Sequence, residues 1–478
     1  MTHPHPTPAS APHADAPPPT GPRPWSALTL LCVAQFMLVL DVTVVNVALP
    51  SMAADLDLGR TALTWVVTSY TLCFGGLMLL GGRLADVLGA RRTLLAGLAL
   101  FTAASLMTGL ASGPATLLAG RTAQGVGAAL LSPAALAIVT TTFHGRDRHR
   151  ALGVWSAIGG AGAAIGVLLG GVLTDGPGWE WIFYVNVPIG AALLLALPAV
   201  VPARAPRPAR LDVPGALLVT AGTGSLIYGL VAAGDTGWSD PRTLVPVAAA
   251  AVAYGAFAVV ERAQRTPLID LAVLRRRPVV AGSYLMLVAT ALLISLFFLG
   301  SVFLQEVRGY SALRTGVLFL PVAVATVVGA HLGGRFVGKL GARPTAAVGL
   351  ALAGLGTGLL TGAGPDGNAW ASVAPGMSLA ALGLGSVFVA ATTTALGFIA
   401  HEEAGVASGV VNTFHEVGGS IGVAVVSTVA AAGIEGGTGG GFTDAFTVWA
   451  VATAVSASAT FALVPRGKPL LTGGPHVH

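Results

Sequence analysis

The chain has 478 residues, of which 54% are hydrophobic and 9% charged, with a formal net charge of +5. A soluble domain carries about a quarter charged residues, so this composition excludes a water-covered globule of such a size. Apolar runs of roughly twenty residues, long enough to cross about 30 Å of hydrocarbon, recur from Trp25 to Leu463.

The first 24 residues are rich in Pro and His and poor in bulky apolar side chains, which predicts a disordered tail. His3, His5 and His13 lie in that tail, and no metal site is assigned to them. The apolar run after it is too long for a signal-peptide core and lacks a small-residue cleavage site, so it reads as a spanning helix. Fourteen spans are expected, at about 26–50, 61–82, 93–112, 115–142, 151–174, 181–201, 212–234, 243–261, 279–304, 315–334, 344–362, 369–399, 405–433 and 442–464. Few aromatics and frequent Gly and Ala predict helices packed through small residues rather than a barrel. The expected fold is an all-α polytopic membrane protein. Cys32 and Cys73 both fall inside apolar runs and read as small buried residues, not a disulfide framework.

Orientation follows from Lys and Arg, which favour the cytosolic side. With both termini cytosolic, the inner segments hold 20 of the 25 basic residues, among them Arg83, Arg91, Arg92 and Arg275 to Arg277. The outer loops hold Arg60, Arg242, Arg308 and Arg314; Arg121 alone lies within a helix. The high basic content is therefore a topology signal and does not point to nucleic acid.

A repeat then organises the chain. GGRLADVLGARRTLLAGLAL from Gly81 matches GGRFVGKLGARPTAAVGLAL from Gly333 at twelve of twenty positions, an offset of 252 residues. The copies fall between helices 2 and 3 and between helices 10 and 11. Two like-oriented six-helix halves would shift equivalent loops by six helices, so a shift of eight requires two additional helices between them. The expected arrangement is 6+2+6: a bundle over 25–201, two inserted helices with flanking loops over 202–277, a second bundle over 278–465 and a tail over 466–478. Like-oriented repeats with a site between them mark the major facilitator architecture.

The residues also resemble those of a family. GGRLADVLGARRTLL is similar to the signature loop of the major facilitator superfamily, matching at Gly82, Leu84, Asp86, Gly89 and Arg91, with Val87 in place of a basic residue. LDVTVVNVALPSM, LLAGRTAQGVGAALLSPA and WEWIFYVNVPIG resemble helix-1, helix-4 and helix-6 motifs of its fourteen-helix drug:proton antiporter branch. The resemblance implies proton-coupled efflux of small amphipathic or cationic compounds by alternating access. The alternatives are transport of one specific metabolite, and uptake rather than export. It implies no enzyme activity and no cofactor, with a small-molecule substrate, protons and the bilayer as partners, in a monomer of the cytoplasmic membrane. One departure is GAGAAIGVLLGGVLTD, where Val167 replaces a motif proline; Gly162, Gly166 and Gly170 keep i, i+4 spacing for a close helix contact.

A charge at the bilayer centre costs on the order of 3 kcal/mol and needs a partner or a cavity. Asp41 and Glu416 are the acids well inside helices, and Arg121 the strong base. Asp41 lies nine residues before Pro50 and Arg121 about six into helix 4, depths of roughly 13 and 9 Å at 1.5 Å per residue. A meeting of the two would set burial against a neighbouring positive charge at one carboxyl. That suits a proton-coupling and substrate-binding role for Asp41, and equally a static ion pair. Glu416, next to His415, reads as a proton carrier or an anchor for a cationic substrate; the alternative is a neutral acid bonded to a neighbouring helix. His331 reads as packed or interfacial. Gly82, Asp86, Gly89 and Arg91 form a candidate conformational latch, with Gly338 opposite Asp86 in the second copy; a local cap for helix 3 is the other reading of Asp86.

Overall fold

The computed structural model describes residues 24–143, 145–202, 212–264, 275–364, 366–396, 404–431 and 439–466. The predicted tails, up to residue 23 and from residue 467, lie outside the described residues. So does much of the linker sequence around the two predicted inserted helices.

Fourteen helices are found among the described residues, each at the place of a predicted span. They are α1 (Pro24–Leu56), α2 (Arg60–Leu88), α3 (Ala90–Gly109), α4 (Pro114–Thr142), α5 (Gly145–Asp175), α6 (Trp181–Val200) and α7 (Val213–Thr236). There follow α8 (Pro241–Ala263), α9 (Arg277–Val307), α10 (Ala312–Leu340), α11 (Ala342–Leu360), α12 (Ala369–Leu396), α13 (Ala404–Val429) and α14 (Gly439–Leu463). Eleven are long and apolar enough to cross a membrane by length and composition, α5, α11 and α13 being the others.

Local chemistry sets the ends. Asp240 accepts from the Arg242 N–H and Ser311 from the Arg314 N–H, capping α8 and α10. Pro114, Pro214, Pro241 and Pro278 sit in first turns, where a missing N–H costs nothing. Between α2 and α3 the whole turn is Gly89 at φ 93°, and between α10 and α11 it is Gly341 at φ 94°. Only glycine adopts that backbone without strain, so the sequence repeat has a conformational counterpart. Asp86 lies in the last turn of α2 and not in a loop, because the turn is this short. One helix end differs from expectation. α1 continues through Pro50 for six residues and stops at Asp57, which adopts φ 52°.

Packing repeats as the turns do. The extensive pairs α3–α4, α2–α4 and α1–α5 recur as α11–α12, α10–α12 and α9–α13, again eight helices on. Glycines bring these backbones together: a Cβ on Gly97 would lie 2.7 Å from the Leu131 nitrogen, and one on Gly349 equally close to the Gly383 oxygen. Gly162, Gly166 and Gly170 face Val39, Thr43 and Val44 of α1, so the spacing noted in α5 makes a contact with α1. Helix α5 runs unbroken past Val167. In lipid such fit, rather than water exclusion, holds helices together.

Two seams join α1–α6 to α9–α14. Along α2 and α13 the contact is hydroxylic, with Thr64 to Ser427 and Thr71 to Ser420 both at 2.5 Å between oxygens. Along α5 and α10 it is glycine-lined, Gly171 against Ala312 and Leu313 and Gly316 against Val167. At its end Asp175 accepts from the Ala312 and Leu313 N–H groups, at 3.0 and 2.9 Å. Gln305 adds a bond to the Val47 carbonyl at 2.8 Å. These bonds gather toward the face opposite the Gly89 and Gly341 turns. Helix α7 packs on α8 and also against both α2 and α13, with Thr428 donating to the Leu230 carbonyl at 2.7 Å.

Candidate functional site

The buried Asp41 of α1 organises the site. Its side chain meets Arg121 of α4, whose Nη1 donates to Oδ2 at 2.6 Å; both residues are 1% exposed. They meet although α1 runs six residues beyond Pro50, so the depth match drawn from that proline used too short a helix.

Groups from α2, α3, α4 and α6 surround the two charges. Gln124, one turn from Arg121, donates through Nε2 to Asp41 Oδ1 at 3.0 Å and to Ser105 Oγ at 2.8 Å, while its Oε1 accepts from Arg121 at 2.9 Å. Asn186, at the start of the longer part of α6, donates through Nδ2 to Asp41 Oδ1 at 3.2 Å. Arg121 Nε donates to the Val66 carbonyl at 3.0 Å. Its guanidinium lies 4.4 Å from the Tyr70 ring centre and 5.9 Å from that of Phe183. A charge pair inside a membrane protein is stable only when its remaining lone pairs and protons are satisfied in this way.

Glu416 is built differently. It sits on α13 where that helix crosses α2, and Gly75 leaves the room for it: a Cβ there would lie 2.5 Å from Glu416 Cβ. Its Oε1 is 3.9 Å from Nε2 of His415, the preceding residue of the same helix. The Glu416 side chain is 14% exposed and that of His415 40%. His415 Nδ1 lies 2.9 Å from Thr290 Oγ1, and its ring centre 5.6 Å from that of Phe388. The structure thus brings Asp41 and Arg121 together, and keeps Glu416 outside their hydrogen-bonded shell on the other half.

Gly82, Asp86, Gly89 and Arg91 lie at the face of the Gly89 turn. Asp86, Gly89 and Arg91 line a cavity of about 150 Å³ with Thr141, Thr142 and Pro202. Asp86 is exposed, and α3 begins with no side-chain cap, so a local cap on α3 is not what Asp86 forms. His331 is exposed on α10.

Reading the sequence for charge missed Ser105, Gln124, Asn186 and Tyr70. Gln124 and Asn186 lie inside the motif stretches quoted above, where their polarity within apolar helices was the signal that could have found them.

The whole assembly of repeated packing, seams and a charge pair has known relatives. The Major Facilitator Superfamily model matches residues 31–423. The chain is 41% identical over 416 residues to the puromycin resistance protein pur8 of Streptomyces alboniger, covering 85% of this chain and 82% of that protein. It is 41% identical over 420 residues to the cephamycin export protein CmcT of Amycolatopsis lactamdurans, covering 86% of each. An auto-inhibited POT family peptide transporter shares the fold at a TM-score of 0.66 and 16% identity, over 94% of this chain and 99% of that one. A family match across most of the length, on a helical frame with matching motifs, leaves one conclusion: this integral membrane protein belongs to the Major Facilitator Superfamily.

Proposed function

We propose that the protein exports small amphipathic or cationic compounds, antibiotics among them, across the cytoplasmic membrane in exchange for protons. Export is supported by relatives named for puromycin resistance and cephamycin export. Proton exchange is supported by one observation above the others, the fully buried Asp41–Arg121 pair. Proton entry supplies about 2.3 kcal/mol per charge for each 100 mV, plus the pH term. Asp41 takes and releases the proton, Arg121 answers the change in charge, and Glu416 with His415 and Phe388 receives the positive end of the substrate.

The recurrence of helix pairs at an offset of eight supports the 6+2+6 division, with α7 and α8 inserted. The basic-residue count supports cytosolic termini. On that orientation the bonded seams close the outer side and the state is inward-open, with Asp86, Gly89 and Arg91 waiting to latch the inner side. The protein works as a monomer, since both halves of the site lie in one chain.

The test is efflux of a compound panel from cells expressing the protein, with and without a protonophore. Retention of compounds only when the protonophore is present is the expected result. Efflux insensitive to the protonophore would overturn proton coupling, and an unchanged panel would overturn export. Topology is read by labelling from outside, which should reach a cysteine at Trp238 but not one at Arg275. Trp238 is chosen over the neighbouring Gly237, whose φ of 92° disfavours any side chain.

A further inference from the structure

The Asp41 shell is complete in its charges but leaves two buried side-chain atoms without a hydrogen-bond partner, Asn186 Oδ1 and Tyr70 Oη. Arg121 donates three hydrogen bonds, and Gln124 uses both ends of its amide. Asn186 uses only one: its Nδ2 donates to Asp41, while Oδ1 is buried with no hydrogen-bond partner. Asn186 is 0% exposed, so no bilayer or bulk water satisfies that oxygen. A buried acceptor left empty beside a carboxylate calls for an explanation.

We propose that Asn186 is the positioning residue for both protonation states of Asp41, its amide turning over when the proton arrives. With Asp41 ionised, Nδ2 donates to Oδ1, as the structure has it. A protonated Asp41 acquires an O–H donor and needs an acceptor. Arg121 has none, and Gln124 has committed its Oε1 to Arg121. Rotation of the Asn186 amide by half a turn about its last bond brings Oδ1 to that O–H, and the empty acceptor is filled. No other side chain need move.

The charged and titratable groups around this centre are Arg121 of α4 and Tyr70 of α2, whose ring centre is 4.4 Å from the guanidinium; across the seam, Glu416 of α13 packs on Gly75 of the same α2. From α3 comes Ser105 through Gln124, and from α6 Phe183 with Asn186 itself. Helix α5 presents glycines to α1, and α9 presents Gln305. Of the two unpaired atoms, only Asn186 Oδ1 belongs to a side chain already bonded to Asp41, which is why the assignment falls on Asn186.

The inference rests on the reading of Asp41 as the proton site, and infrared difference spectroscopy of the purified protein separates the two. A carboxyl band that titrates in the wild type and is absent in Asp41→Asn establishes the proton site. In Asn186→Leu the protonated acid loses its acceptor. Its C=O stretch should change with the loss of that hydrogen bond, while two of the three donors to the carboxylate remain. A wild type with no such band overturns both readings. A band present and unmoved in Asn186→Leu overturns the role of Asn186 alone. Should Asn186→Leu fail to fold, wild-type protein with isotope-labelled asparagine decides between the same outcomes. An asparagine carbonyl band must shift with the Asp41 midpoint, and its absence overturns the proposal.

Discussion

The packing of α1 to α5 recurs in α9 to α13 around different side chains. Helix α4 carries Arg121 and Gln124 into the bundle, and Asp41 of α1 closes on them. Helix α12 occupies the corresponding place against α10 and α11, yet Ala369–Leu396 holds no charged residue. Ala, Gly and Leu do in the second bundle what an ion pair and two amides accompany in the first. The fold of such a bundle therefore does not require the pair. A buried ion pair is in any case weak support for stability. What distinguishes the halves is how each holds an embedded acid, Asp41 within a hydrogen-bonded network and Glu416 outside it.

The largest effect that would break this comparison is on stability. Arg121→Met leaves Asp41 buried without its counter-charge and should cost about 3–5 kcal/mol, read as thermal unfolding of the purified protein. Asp41→Leu combined with Arg121→Met should recover most of that loss, since it gives the first bundle the interior of the second, while transport stays absent. A double variant as unstable as the single one would mean that the network builds the fold.

Next comes the division between the two acids. In proteoliposomes with an imposed pH gradient, Asp41→Asn should abolish uphill efflux of every substrate. Glu416→Gln should weaken cationic substrates by about tenfold or more, the loss of one charge-assisted contact, and spare neutral ones. If Glu416→Gln alone removes substrate-induced proton release, the two roles are exchanged.

The smallest effect concerns the seams. Asp175→Ala removes a carboxylate from the α10 N-terminus, worth about 1 kcal/mol, and should raise the fraction open on that face about fivefold. Spin labels at the exposed Val172 and Val317 report it as a longer distance component. An unchanged distribution would assign closure to the hydroxyl seam of α2 and α13.

Much of this was legible in the sequence, for physical reasons. Apolar length gave the fourteen spans, and the twinned turns at Gly89 and Gly341 follow from a repeat that only glycine satisfies. Asp41 and Arg121 stood out because charge in hydrocarbon must be paired. Asn186 and Gln124 did not, since an amide is neutral and its use depends on which helix it faces. Neither did Asp175, whose partner is a backbone on the other half, 137 residues along the chain. The Gly75 recess for Glu416 was equally hidden, because a missing side chain signals nothing until its neighbour is known.

Helix α7 has a mechanical consequence. It touches α2 and α13 together, resting on one bundle through Gly76 and Leu72 and on the other through Thr428. When the bundles rock, their surfaces move apart along different arcs, and a rod seated on both must slide on at least one. Thr220 against Gly76 is the smoother bearing, a methyl and hydroxyl over bare backbone; the Thr428 bond to Leu230 is the firmer grip. Any change in the separation of α2 and α13 must therefore either break the Thr428 bond or carry Thr220 off Gly76.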